Sequence, residues 1–83
     1  MTRDQIRQVL IDIIQELAPD DDISSIDDNK RIRDQIDLDS MDFLDIIMEL
    51  RKKYGIQVPE EDYPQFATLR GSSDYLEPLL KDK

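Results

Sequence analysis

The feature that most constrains the fold is a repeat of apolar residues at helical spacing. Ile6, Val9, Leu10, Ile13, Ile14 and Leu17 recur at i, i+3, i+4 and i+7, which lays one apolar face along a helix over residues 3–17. Thr2 stands where an N-cap belongs, and Pro19 follows just past the end. A second repeat runs over residues 40–54. Placed at about 100° per residue, Phe43, Ile46, Ile47, Leu50 and Tyr54 fall on one side of it. No stretch alternates apolar and polar residues as a half-buried strand does. The expectation is an all-α fold, and the 83 residues imply a single domain spanning 1–83.

The segments around these helices read as follows. Residues 18–39 form a long connection, with turn chemistry at Asp20-Asp21-Asp22 and Ser24-Ser25. Ile23, Ile26, Ile32, Ile36 and Leu38 are spaced too irregularly for a long helix and read as anchors that pin an ordered loop onto the bundle. Residues 55–59 are a break: Gly55 suits the end of a helix, and Pro59 can open a turn. Residues 60–65 are expected to form one short helical turn, cut at Pro64. A last helix is expected over 69–81, capped by Thr68, with Leu69, Leu76, Leu79 and Leu80 on its inner side and weakened by Gly71 and Pro78.

Composition narrows the function. Leu, Ile, Val and Phe make up 24 of 83 residues, above the roughly 20% below which a charged chain stays disordered, so the domain should fold with a thin core. The net charge of −9 argues against nucleic acid and anionic membrane as partners and favours proteins that present Lys or Arg patches. The same charge would also serve solubility alone. With no Cys and no His, disulfides, thiolate metal sites and a conventional nucleophile–His pair are excluded. The Asp runs do not make a calcium-binding EF-hand: from Asp20 the sixth position is Ser25 rather than Gly, and the twelfth is Arg31 rather than Glu. Two glycines cannot supply a glycine-rich phosphate loop. Near the start the longest apolar stretch is Val9-Leu10-Ile11, so neither a signal peptide nor a membrane span is read, and a cytoplasmic location is expected.

Two features of residues 40–54 exceed what packing requires. Met41, Leu44 and Met48 form a second apolar stripe, flanked by Asp42, Asp45 and Glu49. Between Asp34 and Leu50 there are six acidic residues and no basic one. Such a stripe suits docking, because Met adapts to varied partners and the acids steer a basic surface in. It could equally cover the long loop. Ser40 opens the helix, either as its N-cap or as an acceptor modified by another enzyme. Free N–H groups and the helix dipole favour a phosphate there, whereas Asp39 and Asp42 oppose it, which assigns those acids to partner recognition.

The run Ile36-Asp37-Leu38-Asp39-Ser40-Met41-Asp42 ahead of an amphipathic helix resembles the acyl and peptidyl carrier protein family, whose pattern is Asp-Ser-Leu or Asp-Ser-Met at this point. Tyr54-Gly55-Ile56-Gln57-Val58-Pro59, Glu60-Glu61-Asp62, Thr68-Leu69 and Tyr75-Leu76 continue the likeness over nearly the whole chain. The resemblance implies a four-helix acyl-carrier-protein-like bundle, three longer helices and one short, with a long first loop. It implies that Ser40 carries 4′-phosphopantetheine, attached by a phosphopantetheinyl transferase, and that acyl or aminoacyl groups ride on its thiol as thioesters. The carrier would be a monomer without catalysis of its own, met by loading enzymes and downstream synthases bearing basic patches. By the same analogy Asp39, Met41, Asp42, Leu44, Asp45 and Met48 form the docking surface. Phe43, Ile46, Leu50, Tyr54, Phe66, Leu69 and Leu76 would surround buried cargo. The chain departs from the family in Arg51-Lys52-Lys53, in the bulk of Phe43, and in Ser72 and Ser73, which points to a specialised carrier. The alternative is an unmodified acidic helical module that binds a basic partner.

Overall fold

The structure, a computed structural model, describes residues 1–23 and 25–81. Ser24, expected to share a turn with Ser25, lies outside the described residues. The fold is an all-α bundle built on two fifteen-residue helices, α1 (Arg3–Leu17) and α3 (Ser40–Tyr54). A four-residue helix α2 (Ile32–Gln35), a 3-10 segment (Glu60–Ala67) and α4 (Leu69–Leu76) complete it. An isolated antiparallel bridge between Arg31 and Thr68 is the extent of β pairing among the described residues.

Local chemistry sets the ends of α1 and α3. The Thr2 hydroxyl accepts from the Gln5 N–H at 3.2 Å while the Gln5 side chain accepts from the Thr2 N–H at 2.9 Å, a reciprocal box that satisfies two orphan donors of α1. α3 ends at Gly55, whose φ of 68° is the left-handed conformation that only glycine adopts without strain.

The core lies where α1 meets α3 and α4. Ile6, Leu10, Ile13 and Ile14 of α1 face Ile46 and Leu50 of α3 and Leu69 and Leu76 of α4, all nearly inaccessible to solvent. The five proposed anchors of the connection, Ile23, Ile26, Ile32, Ile36 and Leu38, are all buried. Polar ties fix the same connection. Gln35 reaches back along it, accepting from the Asp27 N–H at 2.7 Å and donating to the Asp27 carbonyl at 2.9 Å. Arg7 of α1 grips Asp28 through both carboxylate oxygens at 2.8 and 3.0 Å, and the Asp28 carbonyl accepts from the Arg70 N–H at 3.0 Å. The loop is therefore a structural strap joining α1 to α4.

Three expectations require correction. The connection contains α2, which periodicity could not reveal because only Ile32 of its four residues is buried. The 3-10 segment runs through Pro64 to Ala67: proline's fixed φ suits 3-10 geometry, and the buried Phe66 holds the segment down. α4 stops at Leu76 rather than running to residue 81. Pro78 has no N–H to continue the ladder, so the chain passes into a turn, and Leu79 is 49% exposed while Leu80 stays buried.

Gly71, expected to weaken the last helix, has a positive function. A Cβ there would collide with the backbone carbonyl of Gln65, so its absence lets α4 lie against the 3-10 segment. The Tyr75 hydroxyl donates to Asp62 at 2.8 Å across the same joint. That hydrogen bond, with a smaller contribution from burial, pushes the Tyr75 phenol above its ordinary pKa. Ser72 and Ser73 are buried in α4; the Ser72 hydroxyl donates to the Thr68 carbonyl at 2.8 Å.

Candidate functional site

The chain enters α3 in extended form. Ile36 and Leu38 point inward and are buried, whereas Asp37 and Asp39 point outward. This alternation, too short to read as a strand, brings Ser40 to the surface as the first residue of α3.

Ser40 is not the N-cap. Asp39 takes that position: its Oδ1 accepts from the Asp42 N–H at 2.9 Å, and Asp42 Oδ2 accepts from the Asp39 N–H at 3.3 Å. The signal was present in the sequence as an acid three residues after a cap-forming residue, the spacing of a capping box. The two acids whose charge opposes an added phosphate thus hold the helix start together. Among the described residues, no hydrogen bond engages the Ser40 hydroxyl.

The second apolar stripe faces solvent. Met41 is 72%, Leu44 42% and Met48 47% exposed, so they do not cover the long loop. Asp45 is exposed beside them, and Asp42 and Glu49 are half-buried. All six residues proposed for docking therefore lie on or around one accessible face of α3. Of the residues expected to surround cargo, Ile46, Leu50, Phe66, Leu69 and Leu76 are buried, but Phe43 and Tyr54 are only partly so. The Phe43 ring stands edge-on to Tyr63, with centroids 6.3 Å apart.

The end of α3 carries Arg51, Lys52 and Lys53, where cations complement the helix dipole. Exposed Lys52 approaches the half-buried Glu49 only at 4.0 Å, a long contact of little energetic consequence. Among the described residues, no cluster of three or more His, Cys, Asp or Glu side chains is arranged to hold a metal ion, and no helix is long and apolar enough to cross a membrane.

An exposed, unengaged hydroxyl at the first turn of a fifteen-residue helix fits a covalently attached phosphodiester: N–H groups of the first turn and the positive dipole end lie beside it. Comparison with known proteins bears on the chain as a whole. The family model described as "Phosphopantetheine attachment site" matches residues 4–76. An acyl carrier protein of Chlorobium phaeobacteroides is 31% identical over 77 residues, covering 92% of this chain and 96% of the relative. One of Brachyspira hyodysenteriae is 36% identical over 56 residues, 68% of this chain and 72% of the relative. One of Rubrobacter xylanophilus is 29% identical over 73 residues, 84% and 90% respectively. The matched span runs from α1 to the last residue of α4, and on that likeness the chain belongs to the acyl and peptidyl carrier proteins, the family that bears 4′-phosphopantetheine.

Proposed function

We propose that Ser40 is the attachment residue and that residues 1–83 act as one carrier domain, presenting acyl or aminoacyl thioesters to partner enzymes. The observation that carries this is the division of work at the start of α3. Asp39 and Asp42 do the capping, which leaves the exposed Ser40 hydroxyl without a structural role. In the attachment step the Ser40 oxygen forms a bond to phosphorus of coenzyme A. The pyrophosphate link breaks, adenosine 3′,5′-bisphosphate leaves, and the hydroxyl proton passes to the transferase. Chemistry on the cargo then belongs to the partners, as befits a carrier.

The docking face is the stripe Met41, Leu44 and Met48 with Asp39, Asp42 and Asp45. Large apolar side chains held in solvent and ringed by acids suit partners with an apolar depression and a basic rim. Beyond Met48 the sign of charge reverses at Arg51, which with Met48 borders a groove of about 430 Å³ under α3. A partner surface basic along its whole length would meet repulsion there. The arrangement favours a dedicated partner whose charge also changes sign.

The test is intact mass after incubation with coenzyme A and a broad-specificity phosphopantetheinyl transferase. The wild type gains the mass of one arm and Ser40→Ala gains none. A Ser40→Ala protein that still gains mass, or a wild type that gains none, refutes the assignment.

A further inference from the structure

Two of the three methionines of this chain, Met41 and Met48, stand on the outer stripe of α3 and are 72% and 47% exposed. Met1 is partly buried against the core. The chain has no Cys and no Trp, so the two outer thioethers are its most accessible groups toward a mild oxidant. They share one face of the helix with Leu44 between them, and Met41 directly follows Ser40.

Packing does not account for the sulfur. Neither side chain belongs to the core cluster, and Leu44 on the same stripe shows that a branched hydrocarbon is accommodated there. An oxygen added at Sδ would lie in water in the free protein, where it breaks no contact on which the bundle depends. In a complex the same oxygen would enter an apolar depression of the partner. There it is a polar group stripped of its water, and the burial that drove docking becomes unfavourable. One chemical change is thus harmless to the free fold and costly to the docked one.

Resting on the reading of this stripe as the docking face, we propose that Met41 and Met48 are sites of reversible oxidation by peroxide that switch docking off and leave the fold intact. In the step, a lone pair on Sδ attacks one oxygen of hydrogen peroxide and the O–O bond breaks. The attacked oxygen stays on sulfur as a sulfoxide. The departing hydroxide takes up its proton and leaves as water, so sulfur gives up an electron pair and peroxide receives it.

In the test, the unmodified carrier is treated with hydrogen peroxide, the excess is destroyed with catalase, and sulfoxides are located by intact mass and peptide mapping. Arm transfer from coenzyme A by the broad-specificity transferase is then timed for treated and untreated wild type and for the double variant Met41→Leu with Met48→Leu. Thermal unfolding of each is followed by circular dichroism. The expected result is several-fold slower transfer in treated wild type with unchanged Tm. Both methionine sulfoxide reductases, one for each epimer, with dithiothreitol should restore the rate. The double variant, which keeps Met1, should transfer equally fast before and after peroxide. Treated wild type that bears sulfoxide at both positions yet transfers at the untreated rate would overturn the proposal and leave the carrier reading intact. So would peroxide that leaves Met41 and Met48 unoxidised, a double variant slowed as much as wild type, or a Tm lowered enough to make the loss one of folding. Untreated wild type that accepts no arm would instead overturn the carrier reading and the proposal with it.

Discussion

Asp39 and Ser40 are adjacent, exposed and similar in size, yet their removal should have opposite consequences. Asp39→Ala deletes the acceptor of the Asp42 N–H and breaks the reciprocal box at the start of α3. Loss of an N-cap costs about 0.5–2 kcal/mol, and because this terminus is exposed and water can replace part of the bond, about 1 kcal/mol is expected. In a domain of this size that lowers Tm by about 4–8 °C. Ser40→Ala removes a hydroxyl with no partner among the described residues and substitutes a better helix former, so its effect should stay within about 0.5 kcal/mol. The removed charge also relieves some self-repulsion in Asp39→Ala. Asp39→Asn, which keeps a capping oxygen without the charge, should therefore retain most of the stability. The assay is urea and thermal unfolding of the unmodified proteins by circular dichroism at moderate salt, with unchanged m-values confirming comparable states. Asp39→Ala should still gain the arm, whereas Ser40→Ala should not. If Ser40→Ala loses as much stability as Asp39→Ala, the hydroxyl has a structural role and the division of work at this helix start is wrong.

Other side chains give sharper contrasts. Leu50→Ala, at a fully buried position, should cost about 2–5 kcal/mol in urea unfolding. Leu44→Ala, 42% exposed, should cost under about 1 kcal/mol yet slow arm transfer; equal destabilisation would make the outer stripe part of the core. Gly71→Ala, which would stabilise an ordinary exposed helix, should instead destabilise by about 1–3 kcal/mol, because the added methyl meets the Gln65 carbonyl; a higher Tm would refute this. The Tyr75 phenol has a raised pKa in the folded state. Its contribution to stability is fully present below the unfolded value of about 10 and is lost as pH rises through the folded one. Tyr75→Phe should accordingly flatten the alkaline fall in stability measured by denaturation above about pH 10.

The long helices were legible because each repeats its apolar face over four turns, and so were the anchors of the first connection, because an Ile or Leu in an acidic loop has few other uses. What stayed hidden depended on tertiary contacts. α2 is held by Gln35, whose side chain could have faced solvent in any sequence-based reading. The need for Gly71 arises from a carbonyl six residues away in a different element. Within the site, Asp-Ser-Met was readable as a motif, and its outer stripe as a separate face. The sequence does not assign the cap to Asp39 over Ser40, because Ser is as good a cap as Asp and the choice turns on which residue first adopts helical geometry.

On the proposal that Ser40 is the attachment residue, these particulars explain how a domain with a thin core keeps it in a fixed place. An attachment point must be exposed, yet exposed helix starts fray unless something satisfies their donors. Here the satisfying groups are side chains on either side of the serine, and the positioning force comes from behind it. Ile36 and Leu38 are buried immediately upstream, and Ile46 and Leu50 hold the body of α3 against α1. The strap of residues 18–39 extends the hydrophobic contact that α1 and α4 could not supply alone, since α4 is only eight residues long. Removing the serine therefore disturbs none of the forces that place it. On the same proposal, modifying Ser40 breaks no bond on which the fold depends, so the chain would pass between bare and arm-bearing states without refolding.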